Sequence, residues 1–166
     1  MTVLIRPMEI ADLRHVTEID GQVHAQPWSL VLFKQELANN ARQYVVAEID
    51  GVVVGHGGVM FLVDEGHVST MAVDPEFQRR RLGSLVLQAL IEASLVRGMR
   101  SMTLEVRVGN EPAISLYRKF GFAPSGVRAN YYTDTNEDAL IMWAHDIDSS
   151  AYRLRLDGIR QELEAA

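Results

Sequence analysis

Apolar and polar positions change period several times along the chain, and each change predicts a new element. Val3 to Arg6 reads as a short strand. Behind it Ile10, Leu13, Val16 and Ile19 recur at helical spacing, with Glu9 and Asp12 in the first turn. Pro27 breaks the pattern, Ser29 suits an N-cap, and Leu32, Phe33 and Leu37 predict a second helix. Two runs rich in β-branched residues, 44–49 and 52–62, flank the turn signal Asp50-Gly51 and predict a hairpin. Gly55, Gly57 and Gly58 are unusual inside a strand and predict a bulge or a close approach. A further strand, 66–73, leads into Asp74-Pro75 and the arginine run Arg79, Arg80 and Arg81.

Leu82, Leu85, Val86, Ala89, Leu90 and Ala93 form one helical stripe that stops near Gly98. Residues 101–108 read as a buried strand. Asn110 caps a helix in which Pro112 is tolerated in the first turn, Ile114, Tyr117 and Phe120 share a face, and Gly121 ends it. Two more strands, 122–132 and 139–144, precede an amphipathic helix over 150–164. Strands alternating with helices in the middle, and hairpins at both ends, predict an α/β fold: a mixed, twisted central sheet with helices on both faces and a C-terminal helical extension. The expected division is one domain over 1–148 and the extension over 149–166.

Composition narrows the chemistry. A chain of 166 residues, 48% of them apolar, suits one well-cored domain. It has no apolar run long enough for a bilayer, and its first residues reach charge too early for a signal peptide, so the expected setting is the cytoplasm, without a membrane partner. The absence of cysteine excludes disulfides, thiolate metal sites and a cysteine nucleophile. A net charge of -6 argues against broad nucleic-acid binding, while the arginine run still suits a small polyanion. His24, His56, His67 and His145 lack metal-ligand spacing and read as structural or surface residues, so no metal is expected.

Residues 71–122 carry a resemblance. MAVDPEFQRRRLGSLVLQAL resembles the acyl-CoA-binding strand, loop and helix of the GNAT superfamily, and LEVRVGNEPAISLYRKFGF resembles the strand and helix that follow there. Pro27-Trp28-Ser29, Leu104 to Arg107, Asn110, Tyr117 and Asn130-Tyr131-Tyr132 are further similar to the bacterial ribosomal-protein N-α-acetyltransferases of the RimI type, over residues 3 to 147. The resemblance implies acetyl-CoA as cosubstrate and the N-terminal amine of a protein or peptide as acceptor. It places the backbone of Met71, Ala72 and Val73 along the pantetheine, and Arg79, Arg80, Arg81, Leu82, Gly83 and Ser84 around the pyrophosphate. The loop chemistry stands without the name, because a helix N-terminus offers unpaired N–H groups and a positive dipole end to a phosphate. One position departs: the superfamily pattern is Gln/Arg-x-x-Gly-x-Gly/Ala, and Arg81 stands where its first glycine belongs. Either the loop turns differently, or Arg81 is forced to positive φ at a cost of about 1–2 kcal/mol.

Acetyl transfer from a thioester needs a neutral amine, a route for its proton, a polarised carbonyl and help for the departing thiolate. At pH 7.5 roughly a third of terminal amines are neutral, against about one lysine in a thousand. Glu105 resembles the family's base. Its alternative is a carboxylate paired with Arg107 or Arg128, and partial burial would raise its pKa. The resemblance places the Tyr117 hydroxyl beside the coenzyme sulfur as general acid. The alternative is a core tyrosine. Asn110 caps its helix and is implied to contact the pantetheine arm. Tyr131 and Tyr132 are the expected acceptor wall, with Trp28 opposite; sheet packing and a hydrophobic staple are the competing roles. Three readings stay open here: a protein N-α-acetyltransferase, an enzyme for lysine side chains or small amines, and a non-catalytic acyl-CoA-binding module.

Overall fold

The computed structural model describes residues 2–78 and 81–165. Its elements follow the periodicities closely. In chain order they are β1 (Val3–Pro7), a 3-10 turn (Ile10–Asp12), α1 (Leu13–Val23), α2 (Leu30–Leu37), β2 (Arg42–Ile49), β3 (Val52–Leu62) and β4 (Glu65–Val73). A second 3-10 turn (Pro75–Phe77) precedes α3 (Leu82–Val96), β5 (Ser101–Arg107), α4 (Glu111–Lys119), β6 (Ala123–Tyr132), β7 (Glu137–His145) and α5 (Ser150–Ala165). The strands hydrogen-bond in the order β1-β2-β3-β4-β5-β7-β6. The β4–β5 pair is parallel, whereas β1–β2, β2–β3, β5–β7 and β6–β7 are antiparallel. This is the mixed α/β sheet with a terminal helix that the alternation predicted.

The chain divides into two compact units, one of Met1–Met60 with Ser69–Ala93, the other of Phe61–Val68 with Ser94–Ala166. In the first, Leu13, Val16 and Ile19 of α1 pack with Phe33 of α2 and Tyr44, Val46 and Val53 of the sheet. Residues three and four apart lie on one face of a helix, so Leu13, Val16 and Ile19 form the buried face, whereas Ile10, read as part of the same stripe, stands in the 3-10 turn and is exposed. Asp12 acts differently from its reading as a dipole partner: it is nearly buried and binds both ends of the Arg6 guanidinium at 2.8 Å.

The glycines of β3 answer to both expectations. The β2–β3 register shifts between Ala47 and Glu48, a bulge that opposes Val54 with no partner next to Gly55. A Cβ on Gly57 would lie 2.6 Å from Val86 of α3, and one on Gly58 would strike the Tyr44 ring. The hairpin turn uses Asp50 and Gly51, both at positive φ.

In the second unit, Met102, Leu104 and Val106 of β5, Ile114 and Tyr117 of α4, and Phe120 just past its end are all buried. α5 belongs to this unit. Its Tyr152, Leu156 and Ile159 are buried, and its Tyr152 hydroxyl donates to the Phe120 carbonyl at 2.5 Å. Arg155 donates to the Lys119 carbonyl at 3.1 Å, so α5 satisfies carbonyls that the end of α4 leaves unpaired.

Candidate active site

The second unit holds the proposed acid and base. Along β5, Met102, Leu104 and Val106 are buried on one face, which turns Thr103, Glu105 and Arg107 to the other. The β4–β5 pairing sets His67 opposite Thr103, next to Glu105 along the same face. His67 Nε2 and Glu105 Oε2 are 2.6 Å apart, and Arg128 of β6 approaches the other carboxylate oxygen at 4.0 Å. The hydrogen bond from His67 holds the Glu105 carboxyl below its ordinary range and outweighs partial burial, which acts upward. The rise expected from burial alone is therefore reversed, because the sequence showed no cation beside this carboxylate except two arginines. Of those, Arg128 is the more distant partner and Arg107 is engaged elsewhere.

Asn110 caps α4, its side chain accepting from the Ala113 N–H at 3.3 Å. About two turns on, Tyr117 is buried, its ring 6.0 Å from that of Phe122. Burial pushes its hydroxyl up to about 12, with Tyr132 adding to the rise. Tyr117 is therefore a neutral phenol at physiological pH. Both the core role and proximity to Tyr132 hold for it. Tyr131 and Tyr132 stand edge to face with ring centroids 5.1 Å apart. Tyr131 is 44% exposed, while Tyr132 is half-buried and its hydroxyl is also pushed up to about 12, mainly by burial.

Of the residues read as cofactor-binding, Met71, Ala72, Val73, Arg81, Leu82, Gly83 and Ser84 belong to the first unit, and Asn110 and Tyr117 to the second. The β4–β5 ladder runs only over Glu65, Gly66 and His67, so Met71, Ala72 and Val73 lie beyond it. Arg81 resolves the departure from the glycine pattern: its φ is 61°, the left-handed conformation that the motif's glycine would take. Its carbonyl accepts from the Leu85 N–H, which makes it the residue that opens α3. Leu82 is buried in the core, and with Gly83 and Ser84 it forms the first turn, whose N–H groups have no intrahelical acceptor. Arg79 and Arg80 lie outside the described residues.

Trp28 also belongs to the first unit. Its ring packs 5.1 Å from Phe33 and 6.3 Å from Tyr44, so it serves the core as a staple would. Its backbone N–H donates to Asp20 Oδ2 at 2.9 Å. Asp20 is buried on α1, with His56 Nε2 3.3 Å from its other oxygen, an ion-pair distance without hydrogen-bond alignment. Sequence reasoning missed both His67 and Asp20. His67 was legible only as a polar residue in a strand, since its partner depends on which strand lies beside β4.

The mixed seven-stranded sheet and its helices have the arrangement of an acetyltransferase fold. Residues 9–122 match the model of the acetyltransferase (GNAT) family, and the chain belongs to that family. Its similarity is to N-acetyltransferases in particular. A Bacillus subtilis protein, provisionally named as a ribosomal protein bS18-alanine N-acetyltransferase, is 40% identical over 84% of this chain and 93% of its own length. The Escherichia coli ribosomal protein bS18-alanine N-acetyltransferase is 36% identical over 83% and 94%. The crystal structure of the ribosomal-protein-S18-alanine N-acetyltransferase from Escherichia coli superposes with a TM-score of 0.80 at 33% identity, covering 87% of this chain and 94% of that one. The chain is accordingly an N-acetyltransferase of the RimI type.

Proposed function

We propose that this enzyme transfers the acetyl group of acetyl-CoA to the free terminal α-amine of a protein, with the alanine terminus of ribosomal protein bS18 as the leading acceptor. The observation that carries the reading is the Glu105–His67 pair, 2.6 Å apart on β5 and β4. A carboxylate held low is ionised at neutral pH but is a weak base. It suits an amine that is already partly neutral, as a terminus is, and serves a lysine poorly. Glu105 would accept the proton of the attacking amine, directly or through water, while its hydrogen bond with His67 fixes the orientation of the carboxylate.

Acetyl-CoA fits the residues present. The N–H groups of the first α3 turn, behind Arg81, suit its pyrophosphate. Met71, Ala72 and Val73 offer backbone groups to the pantetheine where the β4–β5 ladder has ended. The bound thioester supplies the activated acetyl group. Tyr117, neutral with a hydroxyl near 12, would donate a hydrogen bond to the departing sulfur. A free thiol titrates near 8.5, so complete transfer from this phenol is uphill, and hydrogen-bond donation is its larger contribution.

Turnover of acetyl-CoA is measured with peptides bearing free and blocked termini, including the first residues of bS18, alongside blocked lysine peptides and spermidine. The expected outcome is turnover confined to free termini, highest for the bS18 peptide. Glu105→Gln should lower kcat by roughly 10²- to 10³-fold, and Tyr117→Phe by about tenfold or more. Equal or better turnover of blocked lysine peptides or of spermidine would overturn the reading.

A further inference from the structure

The β6–β7 hairpin carries the two tyrosines of the proposed acceptor wall, yet its backbone ladder is broken just before its tip. Arg128 pairs with Ala139, and the next recorded pair is Tyr132 with Glu137, so the three residues between on β6 face a single residue, Asp138, on β7. Asn130 within this bulge has a φ of 53°. Its N–H is taken by the Asp138 side chain at 2.9 Å instead of by a strand partner. A ladder with extra residues on one strand leaves the direction of the tip underdetermined. Something other than strand pairing must aim it.

Arg107 meets that requirement. It stands two residues beyond Glu105 on the same face of β5. Its Nη2 binds Asp134 at 3.0 and 3.2 Å, and its Nη1 binds Thr135 at 3.0 Å and Glu137 at 3.4 Å. The same guanidinium lies 4.1 Å from the centroid of the Tyr132 ring. One cation thus joins two side chains of the turn to the first residue of β7 and covers the face of the tyrosine that ends β6. The planar fork and the stacking face are both used, and a lysine offers neither. Arg107 is 28% exposed at its side chain and Asp134 17%, so the cluster is partly withdrawn from solvent.

We propose that Arg107 is a positioning residue that locks the β6–β7 tip and aims Tyr132, and that it thereby sets affinity for the acceptor without touching the acetyl donor. The proposal rests on the acceptor reading above for its kinetic consequence. Its structural consequence is independent of that reading.

The test compares the full-length wild type with Arg107→Lys, Arg107→Ala and Asp134→Asn. Hydrogen exchange of the amides of residues 131–137 should accelerate at least tenfold in Arg107→Ala and less in Arg107→Lys. With the peptide that the wild type acetylates best, KM should rise about tenfold in Arg107→Ala and three- to tenfold in the other two. Changes in kcat and in coenzyme A dissociation should stay within about twofold. Unchanged exchange at the tip overturns the proposal, as does an unchanged acceptor KM in a variant whose tip has loosened. Equal losses in kcat and coenzyme affinity would also overturn it. If the wild type acetylates no peptide, the acceptor reading fails while exchange still decides whether Arg107 locks the tip. Should Arg107→Ala not fold, Asp134→Asn and Arg107→Lys carry the same comparison.

Discussion

Glu105 and Arg81 each make a measurable demand. Glu105 is held low chiefly by His67. A depressed carboxyl contributes stability that is fully present above the ordinary glutamate value and is lost as pH falls through the folded value. His67→Ala should therefore be less stable than the wild type at pH 7, and the difference should shrink as pH falls through the lowered Glu105 value, as thermal unfolding across an acid pH series will show. The same change leaves burial opposed mainly by Arg128 at 4.0 Å, so the acid limb of kcat/KM should move to higher pH. No movement of that limb would count against Glu105 as the group whose ionisation matters. Arg81 holds a φ of 61° at the mouth of α3. Arg81→Gly relieves about 1–2 kcal/mol of left-handed strain and gives back part of it as chain entropy, for a net gain of roughly 0.5–1 kcal/mol. The melting temperature should rise by about 2 °C.

Among the elements, α5 has the role least visible in its own residues. Periodicity showed an amphipathic helix but not what it covers. In the structure it closes the end of α4, the helix that carries Tyr117, through Tyr152 and Arg155. Tyr152→Phe leaves the Phe120 carbonyl buried without a donor and should cost about 1–3 kcal/mol. Leu156→Ala, at a position only 1% exposed, should cost about 2–5 kcal/mol through the cavity it opens. Denaturant midpoints of the two variants test both figures. A loss under ~0.5 kcal/mol in each would mean that α5 is an appendage and not part of the second unit's core.

At the level of the whole molecule the net charge of -6 is the property that acts at a distance. A negatively charged enzyme attracts a cationic peptide terminus and repels an acidic one, and salt screens both over about 8–10 Å. For acceptors with basic residues behind the terminus, KM should rise as ionic strength increases from 20 to about 300 mM. An acidic acceptor should show the opposite trend. No helix among the described residues is long and apolar enough to cross a membrane.

What the sequence determined by itself was the order and kind of the elements, because period, caps and turn signals are local. Ser29 and Asn110 cap the helices they were expected to cap, and Asp50-Gly51 turns the hairpin it was expected to turn. Family membership was equally legible, carried by the spaced run from Met71 to Phe122. Pairing across the fold was not. That His67, and not an arginine, sits on Glu105 follows from the parallel register of β4 on β5, which joins residues 38 positions apart. Arg107 turned to the β6–β7 tip, and Asp20 took the Trp28 N–H, for the same reason. A side chain's charge and secondary structure are written in its neighbourhood along the chain, but its partner is chosen by strand order and register, which only the tertiary structure supplies.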